Sequence, residues 1–205
     1  MVSIRAYNGV DADCYSGVLS LDHITVDQFA VFLKRPENRE RRFELIHGEI
    51  VERVELIMMR GLVMGHLVGW LYQYLKSHDQ AGRAGIAVDY CVPGDRYNFR
   101  TIDVSHRAGQ TPVVTQGCVG GMPDFAAEVK TLDMSFPVLR EKARYYLTNG
   151  TRLVWLVIPE KRLVEVYTPD DEQVLTESDV LSGGDVLPGF TLPVRDVFVD
   201  TAVEQ

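Results

Sequence analysis

A carboxylate and an amine two residues apart in an apolar strand are the first feature of this chain that could do chemistry. In Pro123-Asp124-Phe125-Ala126-Ala127-Glu128-Val129-Lys130, strand alternation puts Ala126, Glu128 and Lys130 on one face and Phe125, Ala127 and Val129 on the other. Charge within such a strand is costly unless it has a partner or a task. Upstream, Phe99-Arg100-Thr101-Ile102-Asp103-Val104-Ser105 offers a second strand with one acid. Two carboxylates on adjacent strands, Asp103 and Glu128, can hold a hard divalent cation, with the Val129 carbonyl as a further oxygen. A nearby lysine, Lys130, can orient a water and offset negative charge on a phosphate. Phosphodiester hydrolysis needs these parts. As a bare pattern the spelling is weak in a chain with 29 acidic and 21 basic residues, and the strand context is what raises it. The structural alternative pairs Asp103 and Glu128 with Arg100, Lys130 or Lys142 as ion pairs.

The elements that must position these groups follow from periodicity and punctuation. Thr25 and Gln28 have the spacing of a capping box for a short helix through Phe29, Val31, Phe32 and Leu33. The charged stretch Lys34 to Arg42 reads as a loop, either a solvated connector or a phosphate-contacting patch. Phe43 to Val51 reads as two short strands turning near Gly48, with Glu44 as a third acid in a strand. From Leu62 to Ser77, Val63, Leu67, Trp70, Leu71, Tyr74 and Leu75 follow helical spacing. His66 lies beside that stripe, either as a hydrogen-bonded edge residue or as a catalyst. Ile86 to Val92 alternates as a strand before Pro93-Gly94. Ser135 can cap a helix with Pro137 in its first turn and Asn149-Gly150 at its end, and this helix carries Lys142. Leu153 to Ile158 reads as a strand covered on both faces, Leu163 to Tyr167 as its hairpin partner, and Gln173 to Thr176 as an edge strand. This order predicts a mixed α/β sheet with helices packed on it.

The chain has 205 residues and is 46% hydrophobic, which allows a proper core in one sizeable domain. Residues 1–20 read as an irregular extension, 21–198 as a single domain and 199–205 as a polar tail. A formal charge of −8 argues against a general nucleic-acid coat protein and leaves room for an acidic nuclease with local basic patches. Cys14, Cys91 and Cys118 are odd in number and widely spaced, so the reading is reduced thiols with neither a disulfide framework nor a zinc site. There is no membrane-length apolar run and no secretory layout, so the expected location is cytoplasmic, with no membrane partner and no organic cofactor.

Taken together, these blocks resemble the Uma-two family of restriction-endonuclease-like proteins, a branch of the PD-(D/E)xK nuclease superfamily. The resemblance spans roughly residues 25–198. It lies in Phe43-Glu44-Leu45-Ile46-His47-Gly48-Glu49, His66, Ile102-Asp103-Val104-Ser105, Pro123 to Val129, Lys142 with Tyr146-Leu147 and Gly150, Trp155-Leu156-Val157, and Leu187-Pro188-Gly189-Phe190. It implies a restriction-endonuclease-like core, a central mixed β-sheet flanked by helices. It also implies that Asp103 and Glu128 bind Mg2+, with Mn2+ as a substitute, that Lys130 completes the motif, and that Glu44 is an accessory acid. Ile102 stands where the family usually has proline. Lys130-Thr131 stands where many members have a non-lysine residue and serine, so Lys142 is a second candidate for the working lysine. DNA is the expected substrate, and a homodimer is expected because two copies of one site cut both strands of a duplex. The edge around Leu163, Val164, Val166 and Tyr167 is the candidate dimer surface. If Glu44, Asp103 and Glu128 converge, their like charges should strain the metal-free fold.

Overall fold

The computed structural model describes residues 4–6, 23–39, 41–52, 58–78, 81–110, 112–132 and 134–198. In chain order the elements begin with β1 (Ile4–Ala6), α1 (Val26–Leu33), β2 (Phe43–Ile46), β3 (Glu49–Glu52) and α2 (Met58–Ser77). They continue with β4 (Gly82–Cys91), β5 (Arg100–Ala108), β6 (Val119–Gly120), β7 (Phe125–Val129), α3 (Phe136–Thr148) and β8 (Leu153–Ile158). The last are β9 (Leu163–Tyr167), β10 (Glu172–Thr176), β11 (Val180–Ser182) and β12 (Thr191–Pro193). The chain divides into two compact units: residues 1–55, 89–101 and 114–121 form the first, and 56–88, 102–113 and 122–205 the second.

In the first unit, the expected capping box opens α1: Gln28 N–H donates to Thr25 Oγ1, and Thr25 N–H donates to Gln28 Oε1 at 2.8 Å. Strands β2 and β3 form the expected hairpin, with Phe43 opposite Glu52 and Ile46 opposite Glu49. His47 (φ 50°) and Gly48 (φ 80°) both lie in the left-handed region, as a two-residue turn between twisted strands requires. A Cβ on Gly48 would also meet the His23 Cβ at 2.8 Å, so the position is closed to other residues sterically as well. Phe29, Phe32, Phe43, Leu45, Ile50 and Phe99 make this unit's core.

Two expectations are corrected here. Part of the supposed irregular extension is strand β1, which pairs parallel to β3 with Ile4 opposite Ile50. Cys91 and Cys118 are not reduced thiols but a disulfide across 27 residues, and Cys14 lies outside the described residues. Spacing gave no sign of this bond, because the partner cysteines meet only once β6 pairs beside β4, with Cys91 opposite Gly120.

In the second unit the sheet runs β10-β9-β8-β7-β5-β4. It is mixed: β7 and β8 are parallel, while β5–β7, β8–β9 and β9–β10 are antiparallel. A parallel neighbour needs a crossover, and α3 supplies it between β7 and β8. Every residue of β7 and β8 is buried, as their near-continuous apolar sequences foretold. Phe125, Ala127 and Val129 join the core formed with Val63, Met64, Leu67 and Leu71 of α2, so α2 covers their face of the sheet. The alternate face, bearing Glu128, is covered by α3 through Leu139, Lys142, Ala143 and Tyr146, spaced at 3, 4 and 7. Helix α2 starts one turn earlier than its apolar stripe indicated, and Trp70 is 40% exposed rather than part of that stripe. The proposed dimer edge is no edge: β10 pairs along all of β9, from Glu172 opposite Tyr167 to Thr176 opposite Leu163, and Val164 is fully buried. Among the described residues no helix is long and apolar enough to cross a membrane.

His106 in β5 is 2% exposed, and its Nδ1 has no hydrogen-bond partner among the described groups. Burial holds its pKa below the ordinary histidine value, against the opposing influence of the Asp124 charge and a hydrogen bond that the ring donates to the Arg83 backbone. A lowered folded pKa means that the stabilisation is complete above the unfolded value of ~6.5 and is lost as pH falls through the folded value. His106→Gln should therefore flatten the loss of stability on acidification, measured by urea unfolding at about pH 7.5 and about pH 5. An equally steep loss in the variant would contradict this assignment.

Candidate active site

Strands β5 and β7 are joined at His106–Phe125, Ser105–Ala126 and Val104–Ala127. The same register carried one residue further sets Asp103 opposite Glu128. There the backbone ladder stops, and Asp103 Oδ2 accepts the Val129 N–H at 3.0 Å in its place. A buried N–H at the point where two strands part must find an acceptor, so Asp103 has a structural task as well as a chemical one.

Asp103 is also gripped from α2. Arg60 Nε donates to Oδ2 at 3.1 Å and its Nη2 donates to Oδ1, the two-point fork in which a guanidinium meets a carboxylate best. Glu128 is met from α3: Lys142 Nζ stands 3.3 Å from Oε2, and the Tyr146 hydroxyl donates to Oε1 at 2.7 Å. Lys142 and Tyr146 lie one helical turn apart, so one face of α3 delivers both. Asp103, Glu128, Lys142 and Tyr146 are fully buried and Arg60 is 5% exposed.

The remaining sequence candidates make the following contacts. Strand β7 ends at Val129, and Lys130 Nζ pairs with Glu160 Oε1 at 2.6 Å, bonds the Thr131 carbonyl at 3.1 Å and lies over the Phe136 ring. The lysine joined to Glu128 is thus Lys142. Glu44 belongs to the first unit, where it is fully buried and its Oε1 accepts the Thr101 N–H at 3.2 Å. His66 is exposed on α2. Arg100, weighed as an ion-pair partner, donates to Asn98 Oδ1 at 3.1 Å. Asp124 accepts the Ala108 N–H at 2.8 Å, in keeping with a loop-ending role. Among the described residues no three His, Cys, Asp or Glu side chains form a metal-holding group.

Sequence reasoning missed Arg60. The signal was available: Arg60 precedes Val63, Met64 and Leu67 by three, four and seven residues, which puts it on the buried stripe of α2. An arginine on such a stripe needs an anionic partner.

Asp103 and Glu128 each have a protein cation, which offsets the repulsion between these two carboxylates. Asp103→Asn removes the carboxylate onto which Arg60 is forked, so it should destabilise the metal-free protein by ~1–3 kcal/mol. Urea unfolding in chelator measures this, and a variant as stable as the wild type would contradict the pairing.

No curated protein matches the chain. Its fold is similar to the crystal structure of a putative nuclease from Anabaena variabilis, with a TM-score of 0.72 and 22% identity over 85% of this chain and 97% of that one. Residues 29–195 match the family described as Uma2, putative restriction endonuclease. With that match across most of its length, the chain belongs to the Uma2 family.

Proposed function

We propose that this protein is a divalent-metal-dependent endonuclease hydrolysing phosphodiester bonds in DNA. The observation that carries the reading is the position of Asp103 and Glu128, buried on neighbouring strands where these part, with Lys142 Nζ 3.3 Å from Glu128 Oε2. The donors are hard oxygens of the kind that Mg2+ or Mn2+ takes, and one or two carboxylates completed by substrate phosphate is the usual Mg2+ arrangement. The residues fit a divalent cation in kind, with Asp103, Glu128 and the Val129 carbonyl as its proposed holders. When bound, such a cation supplies Lewis-acid stabilisation of charge at the phosphate and makes water a better nucleophile.

The chain's own groups do the rest. Tyr146 fixes Glu128 Oε1 by its 2.7 Å hydrogen bond, so the carboxylate cannot rotate freely. Lys142 holds Oε2 and brings positive charge to the place where negative charge grows on the phosphate. Lys130, bound to Glu160, has a structural role in this reading, and Glu44 and His66 act as accessory groups only if substrate reaches them. We also take the working form to be a homodimer, since two sites related by a twofold axis cut both strands of a duplex. The Cys91–Cys118 bond bears on the location, because disulfides are rare in reducing compartments.

A second reading has an observation in its favour. Both carboxylates already carry protein cations, Arg60 and Lys142, as they would in a nuclease-fold protein kept for binding or assembly.

Incubation with supercoiled, linear and single-stranded DNA separates the two. The nuclease reading expects nicking with Mg2+ or Mn2+, none in chelator, and none from Asp103→Ala. Lys142→Met should lose about 10²-fold or more, while Lys130→Met should stay within about tenfold of wild type. Cleavage by no metal–substrate combination, or equal loss in the two lysine variants with folding intact by circular dichroism, would contradict the reading.

A further inference from the structure

The Arg60 guanidinium occupies both oxygens of Asp103, and those are the atoms through which Asp103 would hold a cation. Each carboxylate has a protein cation against it, Arg60 on Asp103 and Lys142 on Glu128. A doubly charged ion added beside both cations brings like charges together in a buried place, which is unfavourable. Release of one cation relieves this, and the structure distinguishes them. Lys142 lies in the middle of α3, is fully buried, and shares Glu128 with Tyr146. Arg60 reaches Asp103 from α2 by one long side chain and keeps 5% exposure, so its head lies near solvent. Its long side chain can carry the charged head into solvent while its stem stays against the fold.

We propose that Arg60 is a removable counter-ion, a built-in competitor for divalent metal at Asp103 that must swing away before the site can be loaded. It keeps Asp103 satisfied in the metal-free protein and sets a threshold for loading. The proposal rests on the metal-dependent reading above and adds to it a residue outside the sequence motif.

Titration of the full chain with MnCl2 by calorimetry tests it, comparing wild type, Arg60→Lys, Arg60→Met and Asp103→Asn. Arg60→Met should bind Mn2+ at least tenfold more tightly than wild type. Arg60→Lys should lie between them, because an ammonium lacks the two-point fork. Asp103→Asn should lose the binding. Unchanged or weaker affinity in Arg60→Met overturns the proposal while leaving the metal reading intact. Absence of Mn2+ binding in wild type and variants alike overturns both.

A second measurement needs no variant and separates departure of Arg60 from simple charge repulsion. Phenylglyoxal labelling of wild-type protein, read at Arg60 by peptide mass spectrometry, should be slow in chelator and at least fivefold faster in saturating Mn2+. An unchanged labelling rate under Mn2+ that binds at Asp103 overturns the displacement, whatever the affinities.

Discussion

Two carboxylates brought to one buried point by neighbouring strands cannot stay charged there unless each meets a cation, and the second unit is arranged around that constraint. The desolvation of a buried ion costs several kcal/mol, offset only when its partners are close and well directed. Helix α2 brings Arg60 to Asp103, and α3, from the opposite face of the sheet, brings Lys142 and Tyr146 to Glu128. The parting of β5 from β7 belongs to the same arrangement, since Asp103 takes up the Val129 N–H that the ended ladder leaves over. Polar contacts of this kind tie both helices to one registration against the sheet, whereas the apolar contacts around Phe125, Ala127 and Val129 tolerate more variation.

The parts of this arrangement that depend on local periodicity could be read from the sequence. Alternation along β7 correctly separated Glu128 from the core-facing Phe125, Ala127 and Val129, and the apolar run Leu153 to Ile158 correctly announced a strand buried on both faces. The capping box at Thr25 and the His47-Gly48 turn were legible for the same reason: each is decided within four residues. What could not be read depends on where distant elements meet. Lys130 stands at the motif spacing, yet one residue past the end of β7 its chain turns towards Glu160, while Lys142, fourteen positions beyond Glu128, comes back over it on the crossover helix. Cys91 and Cys118 look like isolated thiols until β6 lies beside β4. Arg60 fell outside the apolar stripe as first drawn because that stripe was begun at Val63, one turn late.

Pairing in the folded protein and catalysis at the same residues are compatible if the pairs differ in permanence. Glu128, held at both oxygens by groups of one rigid helix face, is preorganised. Asp103, held by a long side chain from the first turn of α2, is kept in place by a partner that can be exchanged. Such an asymmetry gives the protein a stable metal-free state without closing the site.

The most direct test of this account is the anomalous scattering of Mn2+ in crystals of the wild-type protein. The account predicts one anomalous peak at a coordination distance of about 2.2 Å from carboxylate oxygens of both Asp103 and Glu128, with Arg60 moved off Asp103 and Lys142 still against Glu128. Crystals in saturating Mn2+ with no peak at that pair, and with Arg60 still forked onto Asp103, would contradict it.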